Sequence, residues 1–168
     1  TFDRKDGRIL SVTLGGEEQL VCPVAPTVWR APTDNDRYIR AKWQSEGYDR
    51  TELRGDGLTL ADISEEGVTL AVTQTLAAAS KRPAVCLRTL YTVRPDGRLD
   101  ISVTADRRED APYLPRLGLR FCLPQGYEDL RYFGYGPTES YPDKRLAARL
   151  GDFCTTVDGE YVPYIRPQ

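Results

Sequence analysis

The sequence has no histidine among its 168 residues. That removes Ser-His-Asp and Cys-His centres, and with them the commonest general base. A structural zinc site is equally poorly served. The four cysteines, Cys22, Cys86, Cys122 and Cys154, stand 64, 36 and 32 residues apart and form no Cys-x-x-Cys. No glycine-rich loop follows a strand and opens a helix, which leaves nucleotide binding without support. No apolar run approaches the ~20 residues that cross a bilayer. Excess charge of one sign is missing too. Lys and Arg total 23 against 25 Asp and Glu, a net of −2, with no basic block, so neither nucleic acid nor an anionic membrane is indicated as a partner. No leader is visible either. Thr1 opens directly into polar, strand-like sequence, and the chain reads as excised from a larger multidomain parent, so the missing leader says little. Cysteine spacing and chain size favour free thiols and a cytoplasmic parent.

What is present has a period of two. Val68, Leu70, Val72, Gln74 and Leu76 alternate with Thr69, Ala71, Thr73 and Thr75. Leu99, Ile101 and Val103 form a second such row, and Leu117, Leu119, Phe121 and Leu123 a third. Each pattern predicts a strand with one buried and one wetter face. The run from Val85 to Val93 is apolar or β-branched at most positions, which predicts a strand covered on both sides. Asp6-Gly7, Glu65-Glu66-Gly67 and Asp158-Gly159 supply turns, and Arg94-Pro95-Asp96-Gly97-Arg98 predicts a tight hairpin. Asp6-Gly7 would lead into a strand from Ile9 to Leu14. The expected fold is an all-β antiparallel sandwich occupying 1–168 as one domain, with a short helix near 37–47. Ile39 and Trp43 would share that helix's apolar face, Gly47 would stop it, and Asp34-Asn35-Asp36 are cap candidates. Lys81-Arg82-Pro83 and Arg107 to Pro112 read as solvated connectors.

The densest chemistry lies in Trp29-Arg30-Ala31-Pro32-Thr33-Asp34-Asn35-Asp36. Pro32 has no backbone donor, and Ala31 before it is pushed toward extended geometry. The three Asx side chains can fold back onto nearby amides, so a fixed polar loop at a strand end is expected. Arg30 can clamp carboxylates or carbonyls in a planar fork, and Asn35 can both donate and accept. A second cluster sets Glu139 and Asp143 among Tyr132, Tyr135 and Tyr141, in a loop running from Gly134 to Lys144. Rings that stack on sugar C–H faces beside acids that accept from hydroxyls would suit carbohydrate. The same residues would serve as a turn with packed tyrosines and ion pairs to Arg131, Lys144 or Arg145. A glycosidase needs two acids about 5–5.5 Å apart for retention or about 6.5–9.5 Å for inversion. Asp34 and Asp36 are close in sequence, but neighbouring loop residues rarely flank one substrate bond from both sides.

The Trp29 to Asp36 segment resembles the signature of the C-terminal β-sandwich in large β-galactosidases of glycoside hydrolase family 2. The resemblance continues through Leu114-Pro115-Arg116-Leu117-Gly118, then Tyr132 to Lys144, and reaches Tyr161-Val162-Pro163-Tyr164-Ile165-Arg166-Pro167-Gln168. These blocks fall in the family's order over nearly the whole chain. The resemblance implies a galactose-mutarotase-like supersandwich, incomplete at both ends, with no catalytic residue of its own. It implies a parent that hydrolyses terminal β-D-galactosides with retention, through two glutamates on a separate (β/α)₈ barrel. The sandwich would pack beside that barrel, with Arg30, Asp34, Asn35 and Asp36 at the edge of the sugar pocket, and would meet the galactoside only indirectly. Tyr135, Glu139, Tyr141 and Asp143 are the further sugar-facing or structural candidates. No metal ligand is expected in this chain, although the resemblance implies Mg²⁺ and Na⁺ for the parent. Unpaired edges left by the missing strands would favour self-association. Two other readings compete. A stand-alone carbohydrate-binding module would use Trp29, Trp43 and the Tyr132 to Tyr141 group as exposed platforms. An aldose-epimerase-like enzyme would commonly need a histidine.

Overall fold

A computed structural model describes residues 1–138, 140–141 and 145–161. It divides into two compact units, one spanning Thr1–Cys122 and a second that begins at Leu123. The fold is an all-β antiparallel sandwich with, among the described residues, one short α-helix.

The first unit is built on a five-stranded sheet. Its strands are β4 (Glu52–Gly55), β5 (Thr59–Ser64), β6 (Gly67–Ala77), β7 (Val85–Val93) and β8 (Leu99–Arg107). All pair antiparallel, with β6 joined to β4 and β5 on one side and to β7 on the other. A smaller sheet pairs β3 (Cys22–Thr27) with β9 (Gly118–Cys122). Two short strands, β1 (Thr13–Leu14) and β2 (Glu17–Glu18), make a surface hairpin turned by Gly15 and Gly16.

The two sheets meet through alternating side chains, because successive residues of a strand point to opposite faces. Ile9, Val24 and Leu119 pack against Val72 and Tyr91. Val28 joins Leu76, Leu87, Trp43 and Tyr48 in a second cluster. Val72, Gln74 and Leu76 are buried as the pattern on β6 requires. Gln74 is polar but satisfied, donating from Nε2 to the Asp6 carbonyl at 2.6 Å and accepting from the Thr89 hydroxyl at 3.0 Å. It thereby ties the Asp6-Gly7 turn to the sheet.

Several expectations need correcting. β7 is not covered on both sides: Val85, Leu87, Thr89 and Tyr91 are buried while Arg88 and Leu90 are exposed. β-Branched and apolar residues on its outer face gave the run its continuous look. The expected strand from Ile9 to Leu14 is reduced to isolated bridges from Ile9 to Phe2 and Val24, plus β1. Of the alternating row at β9, only Leu119 reaches the core; Phe121 on the strand and Leu117 and Leu123 flanking it are exposed. The Arg94 to Arg98 hairpin closes as expected, with the Arg94 amide donating to the Arg98 carbonyl at 2.8 Å and Gly97 at φ +86°.

In the second unit, β10 (Asp129–Gly136) and β11 (Arg149–Thr156) form an antiparallel hairpin in unbroken register from Asp129↔Thr156 to Gly136↔Arg149. The expected Gly134 to Lys144 loop therefore starts later, since Tyr132, Gly134 and Tyr135 belong to a strand.

Candidate functional site

Strand β3 delivers the chain to the signature. Val24 and Val28 are held in the core, so the strand's end is fixed before Trp29 begins the polar loop. Pro32 is buried at the loop's midpoint. A 3₁₀ turn over Asp34–Asp36 follows, then α1 (Arg40–Glu46). The helix is shorter than the expected 37–47 span and carries no side-chain cap at its start. The Asp34-Asn35-Asp36 cluster forms the preceding 3₁₀ turn instead. Gly47 ends the helix as expected, at φ +86°, where a Cβ would collide with the Ala78 methyl.

Arg30 and Asp36 lock the loop. Arg30 donates from Nη1 to Asp36 Oδ2 at 2.5 Å and from Nη2 to Oδ1 at 3.0 Å. The two side chains are only 16% and 10% exposed. The Thr33 amide adds a third bond to Oδ2 at 2.7 Å, and the Thr33 hydroxyl donates to the same oxygen at 3.2 Å. Burial alone would raise the Asp36 carboxyl, but the bonds from Arg30 and Thr33 and the guanidinium charge outweigh it, and its pKa is lowered. A fork of two parallel bonds fixes orientation as well as distance. Asp36 has both oxygens engaged, which suits a brace better than a proton-transfer group.

The clamp is seated on aromatics. The Arg30 guanidinium lies 5.5 Å from the centre of the Trp43 ring, in the range of a cation–π contact. Trp43 is 0% exposed. Its indole N–H donates to the Tyr113 carbonyl at 2.7 Å, and its ring meets that of Tyr113 edge-on at 5.7 Å. Tyr48, also fully buried, donates to the Pro112 carbonyl at 2.7 Å. Burial first, then the nearby Glu46 carboxylate, pushes the Tyr48 hydroxyl up, so it stays a donor. Arg108 reaches Glu46 at 2.7 Å and the Pro83 carbonyl at 3.1 Å. The Arg107 to Pro112 segment is thus a buttress under α1, not the solvated connector its charge suggests.

Of the four signature candidates, Arg30 and Asp36 turn inward and pair, while Asp34 and Asn35 stand exposed on the turn. A cleft of about 360 Å³ adjoins the start of the loop, lined in part by Thr27, Trp29, Tyr48, Asp49, Arg116 and Arg120. Tyr135 sits on β10 opposite Leu150, half-exposed, with the Arg145 guanidinium 5.8 Å from its ring centre. Tyr141 is half-buried. Glu139 and Asp143 lie outside the described residues. Trp43 cannot be an exposed sugar platform, because it is the floor of the clamp.

Sequence reasoning missed Thr33, Arg120 and the Glu46–Arg108 bond. Thr33 was findable: it stands three residues before Asp36, the spacing of a capping box. The other two depend on chain segments brought together by folding. Among the described residues, no group of three or more His, Cys, Asp or Glu side chains gathers into a metal cage. Mg²⁺ therefore finds no cluster of carboxylates among the described residues.

These features define a β-sandwich that holds out a fixed polar turn beside a cleft. Residues 1–168 match the family described as the β-galactosidase small chain, and the chain belongs to that family. It is 36% identical over 167 residues to a β-galactosidase of Actinobacillus pleuropneumoniae, covering 99% of this chain and 16% of that protein. A β-galactosidase of Lactobacillus delbrueckii subsp. bulgaricus is 38% identical over 186 aligned positions, with the same coverage of each. One from Staphylococcus xylosus is 36% identical over 142 residues, covering 84% of this chain and 14% of that protein. The chain thus spans about a sixth of the length of these curated relatives.

Proposed function

We propose that this chain is the C-terminal sandwich domain of a glycoside hydrolase family 2 β-galactosidase, of galactose-mutarotase-like architecture. It supports and edges the galactoside pocket of a separate catalytic barrel. Two glutamates of that barrel carry out the retaining hydrolysis, and this domain contributes shape and hydrogen bonds. The observation that carries the reading is the Arg30–Asp36 clamp, because it spends the charged side chains on fixing a turn. Asp34 and Asn35, exposed on the same turn, are the residues that would border a sugar. Asn35 suits a hydroxyl, since its amide donates and accepts. Mg²⁺ and Na⁺ are assigned to the parent by the family resemblance, with no ligand assigned to this chain. Partners are the barrel and other domains of the same parent, and sheet edges unpaired among the described residues favour self-association when the chain stands alone. Four thiol cysteines suit a cytoplasmic parent.

The test is Asn35→Ala in the intact parent. Losing one hydrogen bond to substrate lowers kcat/KM about tenfold, the equivalent of ~1.4 kcal/mol. Unaltered kcat/KM would remove Asn35 from the pocket edge. Glycosidase turnover by this chain purified alone would overturn the supporting role altogether.

A further inference from the structure

Strands β3 and β9 bring two thiols face to face. Cys22 and Cys122 are partners in the antiparallel register, although 100 positions separate them in sequence. Directly opposed residues of such a pair have Cα atoms about 4.5–5.5 Å apart, inside the roughly 4.4–6.8 Å that a disulfide spans. Both are free thiols and both are half-exposed. The neighbouring Cys122 thiol, ahead of burial, pushes the Cys22 thiol up. The register slips between Cys22 and Ala25, so the ladder is already irregular beside the pair. The other two cysteines lack this arrangement. Cys86 is opposed by Thr75 and Asp106, and Cys154 by Arg131.

We propose that Cys22 and Cys122 form a thiol–disulfide exchange site, at which small-molecule disulfides oxidise the pair to a bridge that staples β3 to β9. One cysteine thiolate attacks a sulfur of the small disulfide, forming a mixed disulfide and releasing one small thiolate. The second cysteine thiolate attacks the protein sulfur of that mixed disulfide and expels the second small thiolate. Two electrons pass from the cysteines to the small disulfide, and the two thiol protons end on the released thiols. The consequence reaches the signature, because β3 leads directly into Trp29 and the clamp. A closed loop of about 100 residues removes much freedom from the unfolded chain.

The full chain is equilibrated with 2-hydroxyethyl disulfide and 2-mercaptoethanol in graded ratios, then alkylated and peptide-mapped. The expected product joins the Cys22 and Cys122 peptides and leaves Cys86 and Cys154 alkylatable. The thermal midpoint rises by something on the order of 5–10 °C. Cys86→Ser retains both the link and the shift, whereas Cys22→Ser loses both. If Cys22→Ser does not fold, the map of the unsubstituted chain and of Cys86→Ser decides. Mixed disulfides without a cross-link, a link through Cys86 or Cys154, or a bridge with no thermal gain would each overturn the proposal.

Discussion

The loop from Arg30 to Asp36 and the hairpin of β10 and β11 draw on the same residue types, aromatics with arginines and aspartates, yet use them in opposite ways. In the loop, Arg30 and Asp36 meet through two bonds with side chains nearly withdrawn from water, above a fully buried Trp43. In the hairpin, Arg131 and Asp152 approach only to 3.8 Å, with side chains 75% and 63% exposed. Phe133 there is 71% exposed. One pair is a brace and the other a loose surface contact. The contrast teaches that residue type fixes neither strength nor role. Desolvation raises the stakes of the first pair, since removing one partner strands a buried charge. Solvent and salt weaken the second.

The largest break in this comparison should come from the floor of the clamp. Trp43→Ala removes a buried ring, its bond to Tyr113 and the seat of Arg30, and is expected to cost about 3–5 kcal/mol in urea unfolding. Next is Arg30→Ala, which leaves the Asp36 carboxylate buried without its main partner and is expected to cost about 2–4 kcal/mol. Acid sharpens the same point. The folded pKa of Asp36 lies below its unfolded value, so its stabilisation is complete above the unfolded carboxylate range, near pH ~4. It is lost as pH falls through the lower folded value. Unfolding between about pH 5 and pH 2 should therefore show a loss of stability that Asp36→Asn lacks. The smallest effect belongs to the hairpin. Arg131→Ala should stay within about 0.5 kcal/mol of the parent, and a loss as large as that of Arg30→Ala would erase the distinction.

The sheet architecture was legible because its signals are local. Alternation on β6 and β8, and Pro-Asp-Gly between β7 and β8, state their geometry within ten residues or so. The loop was legible as a loop for the same reason. Its inner wiring was only half legible. Arg30's capacity to clamp is a property of guanidinium, but which of three Asx residues it takes depends on the 3₁₀ turn. Likewise Trp43 and Tyr48 find their acceptors at Tyr113 and Pro112, more than sixty residues away. No periodicity encodes such a meeting. The Arg107 to Pro112 segment was misread on that account: its charges resemble solvation and are in fact cross-ties to α1. The Cys22–Cys122 opposition is of the same kind, visible only once β3 and β9 share a register.

The claim that the signature's charges build a brace is tested most directly by a double-mutant cycle on Arg30 and Asp36, each replaced by alanine singly and together, read by urea unfolding at neutral pH. A brace predicts that the double variant loses less than the summed single losses, with a coupling of at least about 1.5 kcal/mol. Additivity within about 0.5 kcal/mol would mean that the two side chains do not support one another.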